Sequence, residues 1–193
     1  MKILAVLASP RQKSLSEAAL HFCAPVARQF DAEFLILDLR ETALPLYEPE
    51  TASAAENFAA IKDLVDASDA LILATPDYHG SMSGMLKNFL DYFWTEFAGK
   101  TFGYICASHE KGLTAMDQIR TVVRQCYGWS LPYGVAVSNA DVDEENRIVR
   151  PAKQARLEMF IRDMTVYGRL LTRQRREDLT SDEVRTFMAK YRP

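Results

Sequence analysis

A short loop with hydroxyl and cationic side chains follows the first apolar run of the chain. The apolar run is Ile3–Ala8, and the loop is Ser9–Ser16. The hydroxyl groups of this loop, a guanidinium group and the N–H groups that begin the next helix can all donate hydrogen bonds to a phosphate. The dipole of that helix also favours a negative charge at its first turn. The candidate anion ligands are Ser9, Arg11, Ser14 and Ser16.

A plainer interpretation of the same loop stays open. Ser14 and Glu17 have the spacing of a helix capping box, in which case Arg11 and Lys13 would only be solvated. Glu17 would also disfavour a phosphate if its carboxylate pointed inward. The loop has no glycine, so it is neither a Walker loop nor a dinucleotide-binding fingerprint.

A second loop, Thr75–Asp91, follows the buried apolar run Ala70–Ala74 and leads into a helical pattern. In an open α/β sheet, ligands usually bind where a strand ends in such a loop before a helix. The tip of this loop is polar, yet it carries Tyr78 and His79. This mixture suits a flat, partly polar ring better than a bare phosphate.

The totals of the chain are those of one ordinary soluble domain. There are 193 residues with a formal net charge of -3, which gives no general case for nucleic-acid or membrane binding. No apolar segment approaches the roughly 20 residues that span a bilayer, and the N-terminus lacks the layout of a signal peptide. We therefore expect a cytoplasmic protein. Three widely spaced cysteines lie in apolar patterns, where free thiols behave as small hydrophobes.

The elements that must position the two loops alternate between strands and helices. Continuous apolar strands separated by helical stripes are typical of a parallel sheet that is covered on both faces. We predict an α/β fold, a doubly wound five-stranded parallel sheet of order 2-1-3-4-5. The predicted strands are Ile3–Ala8, Glu33–Leu37, Ala70–Ala74, Phe102–Ala107 and Tyr133–Ser138.

Two regions depart from this alternation. Thr42–Ala54 is a long connection with two prolines and an apolar patch at Leu44 to Tyr47. The last core helix is expected to end near Thr172, which divides the chain into a domain of residues 1–172 and a charged extension of residues 173–193. Thr180–Glu183 has the pattern of a capping box, so it predicts a short terminal helix that docks on its own domain or on a partner chain.

The two loops together resemble the NAD(P)H-dependent FMN reductase family, which is flavodoxin-like and includes azo, quinone and chromate reductases. The motif S-x-R-x-x-S begins at Ser9, and P-x-Y-x-G-S-x-x-G-x-L-K-N-x-x-D spans Pro76 to Asp91. The resemblance implies non-covalent FMN, with the serine and arginine loop on its phosphate and the second loop along its ring. The implied cofactor-binding residues are Ser9, Arg11, Ser14, Leu15, Ser16, Pro76, Asp77, Tyr78, His79, Gly80, Ser81 and Ser108.

The resemblance also implies an activity. NADH or NADPH would reduce the flavin by hydride transfer in a ping-pong cycle, and the flavin would then reduce a quinone, an azo compound or a free flavin. The flavin carries this chemistry, so no catalytic side chain or metal is expected. Main-chain N–H groups of the second loop would stabilise negative charge on the reduced ring. A homodimer or homotetramer is implied, and the patch at Leu44 to Tyr47 with Tyr92, Phe93 and Trp94 would suit that assembly.

Several positions depart from the family pattern. Ala8 stands in place of a usual glycine, His79 in place of a common asparagine, and Ser83 in place of a common proline. The third flavin loop, Ala107–Gly112, keeps only a serine and one glycine. Two other functions stay open: an FMN-binding electron carrier without nicotinamide reactivity, and a flavin-free interaction domain of the same fold.

Overall fold

The computed structural model describes residues 1–192 and shows a single parallel sheet. Its strands lie in the order β2-β1-β3-β4-β5, and β6 also pairs with β4. All of these pairings are parallel. The predicted order 2-1-3-4-5 is confirmed. The strands are β1 (Lys2–Leu7), β2 (Glu33–Asp38), β3 (Ala70–Pro76), β4 (Thr101–Ala107), β5 (Trp129–Ser130) and β6 (Val135–Val137).

Helices cover both faces of the sheet, which explains why β1, β3 and β4 are apolar along nearly their whole length. Helices α1 and α5 bury their apolar stripes on one face, and α2, α3 and α4 bury theirs on the other. Within residues 1–192, no helix has the length and hydropathy to cross a membrane. The helices are α1 (Leu15–Gln29), α2 (Phe58–Ala67), α3 (Gly84–Asp91), α4 (Leu113–Gln125) and α5 (Pro151–Thr180).

The predicted fifth strand, Tyr133–Ser138, is wrong in its extent. The edge of the sheet is instead formed by two short strands, β5 and β6, which both pair with β4. Pro132 lies between them and has no N–H to donate to a strand ladder. Gly134 approaches so closely that a Cβ would lie 2.9 Å from the Tyr104 carbonyl oxygen. The chain therefore leaves the sheet and rejoins it within a few residues.

The predicted end of the last helix near Thr172 is also wrong. Helix α5 continues to Thr180, and the capping box predicted there begins no helix. A short 3-10 helix at Phe187–Tyr191 follows, with Met188 buried and the ring of Phe187 5.7 Å from that of Tyr127. The terminal segment thus docks on its own domain. The division into a domain of residues 1–172 and an extension stays a prediction.

A buried lysine joins the start of β4 to the end of α2. Lys100 is 1% exposed, and its ammonium donates to the carbonyl oxygens of Val65 and Asp66. Those carbonyls belong to the last turn of α2, where the helix dipole favours a cation. Burial nevertheless lowers the pKa of Lys100 to about 8.

Candidate functional site

Two adjoining cavities lie beyond the carboxyl ends of β1, β3 and β4. The inner cavity has a volume of about 250 Å³, and the outer cavity has a volume of about 940 Å³. They share Asp77, Ser108 and His109. The inner cavity is lined by Ser9, Arg11, Lys13, Ser14, Leu15, Pro76, Asp77, Tyr78, Ala107, Ser108, His109, Asn139, Val142 and Asn146. The serine and arginine loop (Ser9–Ser16) and the loop after β3, here called the ring loop (Thr75–Asp91), therefore both line the inner cavity.

The loop after β1 forms the predicted capping box and also lines the inner cavity. Ser14 accepts a hydrogen bond from the Glu17 N–H (3.1 Å), and the Glu17 carboxylate accepts one from the Ser14 N–H (3.3 Å). Glu17 is thus folded back onto its own helix. Since a hydroxyl can donate while it accepts, the O–H of Ser14 stays available to a ligand. The two interpretations of this loop are compatible.

Several hydrogen-bond donors near this loop have no acceptor within residues 1–192. The side chains of Arg11 and Lys13 are exposed and form no ion pair there, and the Ser16 hydroxyl is buried without a hydrogen-bond partner. The N–H groups of Leu15 and Ser16 begin α1 and have no carbonyl one turn earlier to receive them. An anion at this end of the cavity would satisfy groups that the fold leaves without partners.

The tip of the ring loop is a tight hairpin turn. Tyr78 and Ser81 exchange backbone hydrogen bonds, and the two residues between them have positive φ angles of 57° and 78°. These are the requirements of a type I′ turn, which favours asparagine then glycine. His79 and Gly80 occupy those places, and histidine is among the residues that tolerate this conformation. The turn therefore accounts for the positive φ angle of His79.

Most N–H groups of the ring loop are already hydrogen-bonded. Asp77 N–H donates to the Ala107 carbonyl, and Gly80 N–H donates to Asp77 Oδ1 (2.8 Å). With the exchange between Tyr78 and Ser81 and the bond from Ser83 N–H to Thr75, the N–H groups of His79 and Met82 are those between Asp77 and Ser83 that donate no hydrogen bond within residues 1–192. The expectation that main-chain N–H groups of this loop face a ligand stays a prediction, and these two groups are its candidates.

Asp77 connects the ring loop to the loop after β4. Its Oδ1 accepts from Gly80, and its Oδ2 accepts from the Ser108 hydroxyl (3.0 Å). The carboxylate lines both cavities. Asp77 thus fixes the distance between the two loops that border the shared opening.

Ser83 connects the ring loop to the end of β1. Its hydroxyl donates to the Ala8 carbonyl (2.6 Å) and accepts from Leu86 N–H (3.1 Å), so it also caps α3. Its N–H donates to the Thr75 hydroxyl (2.9 Å), a bond that a proline could not form. Two positions that depart from the family pattern, Ala8 and Ser83, are therefore direct partners.

Eight of the twelve predicted binding residues line the inner cavity, and Gly80 lines the outer one. Ser16, His79 and Ser81 line neither cavity. The residues that the sequence did not suggest come partly from the segment after β6. Asn146 donates its side-chain amide to the Ser14 carbonyl (3.2 Å) and closes the cavity from the far side. The lining residues outside the predicted twelve are Lys13, Ala107, His109, Asn139, Val142 and Asn146, of which the last three belong to no loop that the sequence indicated.

The outer cavity is bordered by the first turn of α4 and by charged residues near the start of α5. Asp141 is 2% exposed, accepts from the N–H and hydroxyl of Ser138, and lies 3.5 Å from the Lys153 ammonium. Burial alone raises the pKa of Asp141, but the bonds from Ser138 and the nearby ammonium outweigh it, so the pKa lies below its ordinary value. Lys111 and Arg150 also line this cavity. The wall carries charges of both signs.

The cysteines take no part in this site. All three are free and buried, and burial raises the pKa of the Cys106 thiol to about 12. A protonated thiol is a poor nucleophile. The structure therefore agrees with their interpretation as small hydrophobes.

Comparison with known proteins identifies the family. Residues 1–142 match the family model of the NADPH-dependent FMN reductases. The chain belongs to that family. The match confirms the predicted recognition, the oxidoreductase class and FMN as the cofactor of the family. Asn146, on the far wall of the inner cavity, lies beyond the matched residues.

Named relatives agree with this assignment. The chain is 30% identical over 148 residues to an NADPH azoreductase of Bacillus sp. (strain OY1-2), covering 75% of this chain and 80% of the relative. It is 31% identical over 150 residues to an FMN-dependent NADPH-azoreductase of Staphylococcus aureus (strain USA300), covering 73% and 79%.

The fold is similar to those of solved flavoenzymes. A flavoenzyme NAD(P)H:(acceptor) oxidoreductase from Paracoccus denitrificans has a TM-score of 0.75 at 20% identity, covering 88% of this chain and 97% of that chain. An NADH:FMN oxidoreductase has a TM-score of 0.68 at 20% identity, covering 86% and 89%. At these identities the likeness shows the fold alone, and it confirms the flavodoxin-like prediction.

Proposed function

We propose that this member of the family binds FMN across the inner cavity and uses NADH or NADPH to reduce small acceptors. The observation that carries the proposal is the pair of adjoining cavities described above. One end of the inner cavity has unpartnered anion donors, and the other end opens on a larger cavity between the ring loop and α4. A phosphorylated flavin has the matching order of groups, an anion, a polar chain and a flat ring.

The phosphate end of the cofactor fits the loop after β1. The hydroxyls of Ser9 and Ser14, the first-turn N–H groups at Leu15 and Ser16, and the guanidinium of Arg11 are the donors that we assign to it. The buried, unpartnered hydroxyl of Ser16 would gain an acceptor from the phosphate. The dipole of α1 favours the charge.

The ring end of the cofactor fits between the ring loop and the loop after β4. Pro76 and Tyr78 provide one wall. Because only two N–H groups between Asp77 and Ser83 have no acceptor within residues 1–192, we assign further main-chain donors to the loop after β4. The N–H groups of His109, Lys111 and Gly112 donate no hydrogen bond within residues 1–192. These groups, with the first turn of α4, would stabilise negative charge on the reduced ring.

The outer cavity provides room for a second planar molecule. Its volume of about 940 Å³ is at the upper end of the usual range for small-molecule sites, roughly 300–1,000 Å³. Bound FMN would accept a hydride from the nicotinamide and then pass two electrons to a quinone, an azo compound or a free flavin. The protein residues bind and orient both molecules. Since the donor and the acceptor would occupy the same opening in turn, we propose a ping-pong cycle.

We propose a homodimer or homotetramer, but with a smaller apolar surface than the sequence suggested. Tyr92 and Phe93 are 8% and 2% exposed and pack in the core of their own chain, so they are not available to a partner. Leu46 and Trp94 are 80% and 66% exposed. These two side chains support the proposal that the connection after β2 and the end of α3 contact another copy.

A flavin titration with one pair of matched variants tests the proposal. The purified protein is stripped of flavin and titrated with FMN, and Arg11→Gln is compared with Arg28→Gln, which removes the same charge from the other end of α1. We expect one FMN per chain in the wild type, a Kd about tenfold higher in Arg11→Gln, and no change in Arg28→Gln.

Activity is then measured as oxidation of NADH and NADPH in the presence of a quinone or an azo dye. Parallel lines in double-reciprocal plots are expected for a ping-pong cycle. A protein that binds FMN but oxidises neither nicotinamide would be an electron carrier. A protein that binds no FMN would be a flavin-free member of the fold. Either outcome overturns the proposed function.

A further inference from the structure

Arg40, two residues beyond β2, holds the outer side of the loop after β1. Its guanidinium donates from Nη1 to the Arg11 carbonyl oxygen (2.9 Å). The same guanidinium is bonded to Asp38 through Nε (3.0 Å) and Nη2, and Nη2 lies 3.3 Å from Glu17 Oε2. The side chain of Arg40 is only 18% exposed. This planar cation is therefore fixed against three separate elements.

The positive charge of Arg40 neutralises the negative charges of two carboxylates behind the proposed phosphate site, those of Asp38 and Glu17. The side chains of Asp38 and Glu17 are 15% and 21% exposed, so water screens them poorly. Burial raises the pKa of Asp38, but the hydrogen bonds and charge of Arg40 outweigh it and leave the pKa below its ordinary value. Asp38 and Glu17 would otherwise place two negative charges behind a loop that must receive an anion.

Arg40 also acts on the geometry of the loop. Glu17 Oε2 accepts a hydrogen bond from the Ser14 N–H and forms an ion pair with Arg40, so the capping box is anchored to Arg40. Arg11 is anchored through its own carbonyl oxygen. One guanidinium thus holds both ends of the segment from Arg11 to Ser14. It bonds to Arg11 directly and holds Ser14 through Glu17.

We propose that Arg40 is a positioning residue that makes the site selective for the phosphorylated flavin. It touches no ligand itself: it fixes the backbone of the loop and cancels the charge of Asp38 and Glu17. This inference rests on the proposed function, because it concerns the phosphate of FMN. Replacement of Arg40 should therefore weaken the binding of ligands that carry a phosphate and leave the binding of other ligands unchanged.

The experiment compares FMN with riboflavin, which has the same ring and chain but no phosphate. Each ligand is titrated into flavin-free protein, and quenching of flavin fluorescence gives the Kd. Arg40→Met removes the charge and the donors at similar length, and Arg28→Met is the matched control. We expect Arg40→Met to raise the Kd for FMN about tenfold and to leave the Kd for riboflavin within about twofold. Arg28→Met should change neither.

Two further variants separate the charge from the fold of the loop. Glu17→Gln keeps the capping acceptor but removes one carboxylate, so the double variant with Arg40→Met should regain about threefold in FMN affinity. Arg40→Lys keeps the charge but loses the fork of donors, so an intermediate FMN affinity is expected. If Arg40→Met does not fold, Arg40→Lys still tests the same selectivity.

The inference is overturned if FMN and riboflavin weaken equally, or if FMN binding is unchanged in Arg40→Met and Arg40→Lys. A failure of the proposed function looks different, because the wild-type protein would then fail to bind FMN or to prefer it to riboflavin.

Discussion

Replacement of Ser83 by alanine should destabilise the protein by about 2–4 kcal/mol, because one buried hydroxyl makes two hydrogen bonds. Loss of the bond from Leu86 N–H removes the cap of α3, which costs about 1 kcal/mol. Loss of the bond to the Ala8 carbonyl leaves a buried acceptor without a partner, which costs about 1–3 kcal/mol. The Ser83 side chain is almost fully buried, so water cannot replace either bond.

The assay is urea unfolding of the flavin-free protein, followed by tryptophan fluorescence. Ser53→Ala is the control, since Ser53 is exposed and makes no side-chain hydrogen bond within residues 1–192. It should change the free energy of unfolding by less than about 0.5 kcal/mol. Ser83→Thr keeps the hydroxyl and should retain most of the stability. A loss below about 1 kcal/mol in Ser83→Ala would refute the assigned role of this residue.

Three further predictions concern the loops and the core. His79→Asn should raise the free energy of unfolding by a few tenths of a kcal/mol (~0.3–0.5) in urea titrations, because asparagine suits the first central position of a type I′ turn; a loss of stability would contradict that turn. Asp77→Ala breaks the link between Gly80 and Ser108 and should raise the Kd for FMN about tenfold in a fluorescence titration, whereas an unchanged Kd would contradict the link. Burial lowers the pKa of Lys100 from 10.5 to about 8, so the unfolded chain binds more protons between these values and this residue's contribution to stability rises with pH. The free energy of unfolding of wild type minus that of Lys100→Met should therefore increase by about 3 kcal/mol across that interval, and a flat difference would contradict the lowered pKa.

The sheet order and the two loops that line the inner cavity could be predicted because their signals are local. Runs such as Ala70–Ala74 are apolar at every position, which is typical of a central parallel strand. The loop at Ser9–Ser16 and the loop at Thr75–Asp91 directly follow such runs. Since parallel strands end at one edge of the sheet, these loops had to meet.

Features that depend on long-range pairing could not be predicted in this way. Asn146 reaches the Ser14 carbonyl across 132 residues, and no local pattern indicates that contact. The direction of Glu17 depends on Arg40, which belongs to a different strand end. The split of the last strand depends on how tightly Gly134 packs against Tyr104.

The sequence also could not indicate which N–H groups of the ring loop donate hydrogen bonds within the protein. A motif with Tyr78 and Gly80 indicates a ligand loop, but it does not show that the loop satisfies most of its own donors. That follows from the hairpin turn and from the Asp77 carboxylate. We therefore propose that the loop after β4 also supplies donors to the ring.

The most direct test of the proposed function is an anaerobic titration of the FMN-loaded protein with NADPH and, separately, with NADH. The visible absorbance band of oxidised flavin is recorded after each addition, followed by addition of a quinone. We predict that stoichiometric nicotinamide bleaches the band and that the quinone restores it. Bound FMN that keeps its oxidised spectrum with excess of both nicotinamides would contradict the proposal.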